Sequence, residues 1–144
     1  MNRFGISEAE QREIFTKNVD VINGNFYCEV PVFCRSVDLV IHEVDTNAIT
    51  AVEFKLSDWK RAVRQALNVA ICFDYIEICV PFPQTEKGQE VILKYCDELG
   101  IGVYFFDVET KQISHPLPPQ QIQKVWEVQR RQVINNLVGG LEYA

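Results

Sequence analysis

A carboxylate and an ammonium stand two residues apart in the run Ile49-Thr50-Ala51-Val52-Glu53-Phe54-Lys55-Leu56. β-Branched and aromatic residues dominate this run, which reads as a strand. Side chains alternate across a strand, so Val52, Phe54 and Leu56 share a face that must be packed. Glu53 and Lys55 share the other face with Ala51. A second carboxylate, Asp38, lies between Val37 and Leu39 on the preceding strand-like stretch, residues 37–44. Ionised groups on strands this apolar are costly unless paired or bound to a metal. Two such carboxylates suit a hard cation, since Mg²⁺ takes one or two of them and fills its shell with water and phosphate oxygens. A metal there polarises a phosphodiester and lowers the pKa of an attacking water. A neighbouring lysine stabilises the charge that develops.

The surrounding pattern predicts the elements that hold these groups. Ser7 and Glu10 form a capping box, which starts a first helix running to about Asn18. Asn23-Gly24-Asn25 is a turn. Residues 26–35, 37–44 and 49–56 read as three strands, with Pro31 marking the first as an edge, a bend or a bulge. The short turn Asp45-Thr46-Asn47 makes the last two an antiparallel hairpin. Ser57 caps a helix over residues 58–72, whose Trp59, Ala62, Val63, Ala66, Leu67 and Ala70 have helical spacing. A short strand over 75–80 stops at Pro81 and Pro83. An acidic helix over 86–99 closes at Gly100, and residues 101–106 are another strand. Ser114-His115-Pro116-Leu117-Pro118-Pro119 reads as a loop before a last helix over 119–137. That helix carries an apolar stripe of Ile122, Val125, Trp126, Val133 and Leu137, and it either packs on the body or forms a dimer contact. The order α-β-β-β-α-β-α-β-α predicts a single α/β domain over residues 1–144, with a mixed sheet covered on both faces.

Asp38, fourteen intervening residues and Glu53-Phe54-Lys55 resemble the catalytic motif of the PD-(D/E)xK phosphodiesterase superfamily, the restriction-endonuclease-like fold. The α-β-β-β-α-β order over about residues 7–106 is similar to that family's common core; the Pro that precedes the family's Asp is Val37 here. The resemblance implies a nuclease dependent on Mg²⁺ or Mn²⁺ that hydrolyses phosphodiester bonds in DNA, in a repair, recombination, restriction or phage setting. It assigns Asp38 and Glu53 as metal ligands, completed by the backbone carbonyl of Phe54, and Lys55 as the catalytic lysine. On the following helix it implies a role at the site for Gln65 and nucleic-acid contacts for Lys60, Arg61 and Arg64. A glutamate of the first helix reaches the metal in some branches. Glu13 is the first candidate, ahead of Glu8 and of Glu10, which the capping box occupies.

Other readings use the same residues. One is a nuclease-fold module that binds nucleic acid or serves structurally inside a larger complex. Another is an ion-pair network within the sheet. The net charge of −6 counts against a broad nucleic-acid coat. It leaves room for a local basic face, because Lys55, Lys60, Arg61 and Arg64 are opposed nearby only by Asp58. The chain has no separate DNA-reading module, so a homodimer or a protein partner would supply specificity.

Hydrophobic residues make up 47% and charged residues 24% of 144, which excludes a disordered chain. No apolar run approaches the roughly 18 residues of a membrane helix, and the N-terminal residues lack the apolar core of a signal peptide. A cytoplasmic protein without membrane contact is expected. The five cysteines, at 28, 34, 72, 79 and 96, lack CxxC spacing and read as reduced, mostly buried thiols. His42, His115, Glu43 and Asp45 read as incidental, and Arg130 with Arg131 as a solvated pair.

Overall fold

The computed structural model describes residues 5–143, with side chains through residue 138. The chain runs α1 (Glu8–Asn18), β1 (Gly24–Val32), β2 (Arg35–Glu43), β3 (Ala48–Phe54), α2 (Trp59–Val69), a 3₁₀ turn (Ala70–Cys72) and β4 (Tyr75–Pro81). It continues through α3 (Glu86–Leu99), β5 (Gly102–Phe106), β6 (Ile113–Leu117) and α4 (Glu127–Tyr143). The described strands form one six-stranded sheet in chain order. β1, β2 and β3 form an antiparallel meander, β3, β4 and β5 run parallel, and β6 returns antiparallel to β5. Each parallel step needs a crossover, and α2 and α3 supply them.

Alternation divides the sheet into two apolar faces. Ile49, Ala51, Ile76, Ile78 and Val103 enter the larger core with Ala62, Val63 and Ala66 of α2, Ile92 and Cys96 of α3, and Val133, Ile134 and Leu137 of α4. On the opposite face Leu39, Val52, Phe54, Leu56 and Phe106 pack around Phe15 of α1. The packed face expected for Val52, Phe54 and Leu56 is therefore the one that seats α1. Phe15 is fully buried and meets Phe54 and Tyr104 edge to face at centroid distances of 5.3 and 4.7 Å.

Several boundaries match the sequence pattern because local chemistry sets them. Ser7 accepts from the Glu10 N–H at 3.1 Å, Gly100 closes α3 at φ +73°, and β2 and β3 form the expected hairpin. β1, which carries Pro31, lies at the sheet edge.

Other boundaries need correction. Asp58, not Ser57, caps α2 by accepting from the Arg61 N–H at 3.1 Å, and the helix ends at Val69 before a 3₁₀ turn. The expected proline loop contains strand β6. Edge pairing makes this tolerable, because the N–H that Pro116 lacks can face outward. The last helix begins at Glu127 rather than 119. Residues 119–126 instead bond back to the body, with Gln120 N–H on Gly100 O at 3.0 Å and the N–H groups of Ile122 and Trp126 on Asp74 O and Ile71 O at 2.8 Å. Of the apolar stripe, Val133 and Leu137 are buried, while Trp126 is 60% exposed.

Arg130 is no solvated residue. Its Nε lies 3.0 Å from both Asp74 oxygens and its Nη2 2.7 Å from Asn47 O, pinning α4 to the loops around β3. Among the described residues no helix is long and apolar enough to cross a membrane. All five cysteines are free; Cys72, Cys79 and Cys96 are buried, and Cys28 and Cys34 are exposed.

Candidate functional site

Pairing within the meander is interrupted at Asp38, with the register kept on either side. Leu39 pairs with Val52, and continuing that register sets Asp38 against Glu53, yet the β2–β3 ladder stops at Leu39. On the other side, β1–β2 pairs at Cys28–Leu39 and Val30–Val37 skip Glu29, whose φ is +52°. Side-chain phase slips at the same place. Val37 and Val40 both face the larger core, and Leu39 and Ile41 face the smaller one. Strict alternation would put Val37 with Leu39.

The Asp38 side chain fills the gap. Its Oδ2 accepts from the Phe54 N–H at 2.8 Å, replacing a ladder carbonyl. The carbonyl of Asp38 accepts from Arg12 Nη1 of α1 at 3.4 Å, and Arg12 also pairs with Glu29 at 3.7 Å. The break is thus held by side chains where backbone pairing has failed, as the satisfaction of buried polar groups requires.

Glu53 is 3% exposed beside this carboxylate. Burial is the main cause that raises its pKa from 4.5 to about 8, followed by the charge of Asp38 and a hydrogen bond to the Asp38 side chain; Lys55 opposes weakly. Like charges this close cannot both ionise freely in a poorly solvated site. Glu53 therefore keeps its proton near neutral pH.

Lys55 lies beyond the end of β3 and is largely buried. Its N–H donates to Cys79 O at 3.2 Å, and its Nζ reaches Glu8 Oε1 at 3.4 Å. Glu8 Oε2 also accepts from the Leu56 N–H at 3.3 Å. Glu8 is thus the α1 glutamate at the site. Glu13, the first candidate in the sequence, is instead turned to solvent, where it pairs with Lys17 at 2.9 Å. Five residues put them about 1.4 turns and 140° apart on the helix, so the seating of α1 lets only one of them meet the end of β3. Gln11, fully buried, has no signal in the sequence as a site residue. Its Nε2 donates to Cys79 O at 3.2 Å and to Lys55 O at 3.4 Å, tying the ends of β3 and β4 together.

Gln65 makes no hydrogen bond to Asp38, Glu53 or Lys55. Its Oε1 is buried without a partner, and the residue lines a cleft of about 330 Å³ with Arg61, Arg64, Asn68 and Leu67 of α2 and Arg35 of β2. Lys60 points elsewhere, lying 5.7 Å from the ring centroid of Trp59. Arg35 was not among the basic residues singled out in the sequence, since it is distant from α2 along the chain.

On the α1 face, Glu77 is 3% exposed and holds His115 Nε2 at 2.7 Å. The His115 ring stacks on Tyr104 at 3.9 Å. His115 is therefore a structural partner rather than an incidental loop residue. Burial, then the nearby Glu77, pushes the Tyr104 hydroxyl far above its usual range. His42 bonds Asn47 Oδ1 at 2.7 Å within the hairpin.

Among the described residues no three or more His, Cys, Asp or Glu side chains converge as a metal site. The donor set that would fit a divalent ion is the pair Asp38 and Glu53 with backbone carbonyl and water, a set Mg²⁺ accepts. The proton that burial keeps on Glu53 is what a bound cation would displace.

No family model matches the chain, and no curated protein matches it. Among solved structures it is similar to SPO1766, a protein of unknown function from Silicibacter pomeroyi, with 14% identity and a TM-score of 0.65 over 96% of this chain and 89% of that one. At that identity the likeness is one of fold. Fold and site together define an α/β domain with a mixed six-stranded sheet and a buried Glu53 beside the half-buried Asp38 where its hairpin strands part.

Proposed function

We propose that the chain is a metal-dependent nuclease of the PD-(D/E)xK kind, built on a restriction-endonuclease-like core and acting on phosphodiester bonds in DNA. The observation that carries this reading is the buried Glu53 carboxyl beside Asp38, where the hairpin strands part. A buried carboxyl that holds its proton is poised to exchange it for Mg²⁺ or Mn²⁺. Asp38, Glu53 and the carbonyl of Phe54 would hold the ion, which when bound polarises the phosphodiester and acidifies water. The Asp38–Phe54 hydrogen bond orients one ligand before any ion arrives. Glu8 holds the Lys55 ammonium near the end of β3, where it can stabilise charge developing on the phosphate. Gln11 fixes the carbonyl of Lys55 and so the backbone that carries it.

The net charge of −6 favours a second reading, in which this domain works inside a complex whose partner supplies most of the nucleic-acid contact. Isothermal titration of Mn²⁺ into wild type and Glu53→Ala, with circular dichroism on both, tests the site. Binding by wild type that disappears in a folded variant, with Mn²⁺-dependent cleavage of a DNA panel, supports the nuclease. Binding without cleavage favours the second reading. Absence of binding, repeated with a phosphorothioate duplex present, overturns both.

A further inference from the structure

The arginines divide into two groups. Among the described residues Arg12, Arg130 and Arg131 each pair with a carboxylate. Arg35, Arg61 and Arg64 have no such pairing, and all three line one cleft of about 330 Å³ whose walls contain no acidic side chain. In a chain with 20 acidic residues against 14 basic ones, three unneutralised guanidiniums around one concavity repel one another with no gain to the fold. Folding does not explain them, but an anion would. The amide of Asn68 adds a neutral polar group that suits a sugar or base beside that anion.

The cleft is joined to the carboxylate pair through two elements. Arg35 precedes Asp38 by three residues on β2, about 10 Å at the rise of a strand. Arg61, Arg64 and Gln65 lie on α2, which follows directly from Lys55. Guanidinium groups recognise phosphate through paired N–H donors, which lysine cannot do.

We infer that the Arg35–Arg61–Arg64 cleft is a metal-independent binding site for a phosphate group of a nucleic-acid strand, seating that strand beside Asp38 and Glu53. The choice of a nucleic acid rests on the nuclease reading; the anion site itself rests on the unpaired arginines. The phosphate is either a terminal monoester or an internal diester, since both offer the same oxygens.

Fluorescence anisotropy tests this with a 12-nucleotide single strand in EDTA, across a salt series. One strand carries a 5′-phosphate and a second a 5′-hydroxyl. The probes are offered to wild type and to the double variant Arg35→Ala/Arg64→Ala, whose changes lie on exposed positions. Wild type is expected to bind in EDTA. The double variant should bind at least tenfold more weakly, with its log K against log salt slope shallower by about 1.4 for two lost phosphate contacts. A tenfold preference for the 5′-phosphate in wild type identifies the monoester, and equal binding identifies the diester. Unchanged affinity and slope in the double variant, or no binding by wild type, overturns the inference. Loss of Mn²⁺ binding or cleavage does not enter this readout, so failure of the nuclease reading is seen separately.

Discussion

Replacing Glu53 with glutamine should remove a pH dependence that the wild-type protein carries. Unfolded, this carboxyl titrates near 4.5; folded, burial and Asp38 hold its proton up to about 8. The native state therefore binds more protons than the unfolded chain across that window. The resulting stabilisation is complete below 4.5 and is lost as pH rises toward 8. The slope through the middle of the window is about 1.4 kcal/mol per pH unit, so stability should fall by roughly 2–3 kcal/mol between pH 5.5 and 7.5. For a chain of this size that corresponds to roughly 5–10 °C in Tm.

Glutamine keeps the shape and hydrogen-bonding capacity of a neutral glutamic acid but cannot ionise. Urea unfolding of both proteins at half-unit steps from pH 5 to 8.5 provides the assay, with the difference between the two curves isolating this group. The difference should open steadily with pH in favour of Glu53→Gln. Parallel curves would refute the reasoning, because Glu53 would then be ionised in the folded protein and would hold no proton for a cation to displace.

Three further outcomes follow from the packing. Phe15→Ala empties a fully buried site against Phe54 and Tyr104 and should cost about 3–5 kcal/mol by urea denaturation, loosening the α1 seat that carries Glu8 and Gln11. Arg130→Ala breaks the partly buried pair with Asp74 and the bond to Asn47 O. It should cost about 2–4 kcal/mol, with Arg130→Lys recovering less than half because it cannot span both carboxylate oxygens; equal recovery would refute the geometry. His115→Phe keeps an aromatic ring beside Tyr104 but takes the imidazole from buried Glu77. A loss of about 1–3 kcal/mol is expected, together with faster amide exchange along β6, whereas unchanged exchange would show that the pair does not hold the edge strand.

Sequence alone settled what depends on neighbours along the chain. Ser7 with Glu10, Gly100 after an acidic helix, and the turn at residues 45–47 each satisfy local backbone needs, so their elements are legible without the fold. The alternation of Val52, Phe54 and Leu56 against Glu53 marks one packed face, and the hairpin puts Asp38 on the neighbouring strand. Tertiary structure decided the rest, for reasons no local pattern contains. Residues 113–117 form a strand because β5 offers an edge and Glu77 offers His115 a partner, although their own composition suits a loop. The slip at Asp38 depends on Glu29, Arg12 and the Phe54 N–H meeting from three separate elements. Glu8 rather than Glu13 reaches Lys55 because packing around Phe15 sets where α1 crosses the strand ends. Arg35 joins Arg61 and Arg64 only once the start of β2 and α2 border one cleft, since a cleft is a property of surfaces brought together and has no signature in either segment by itself.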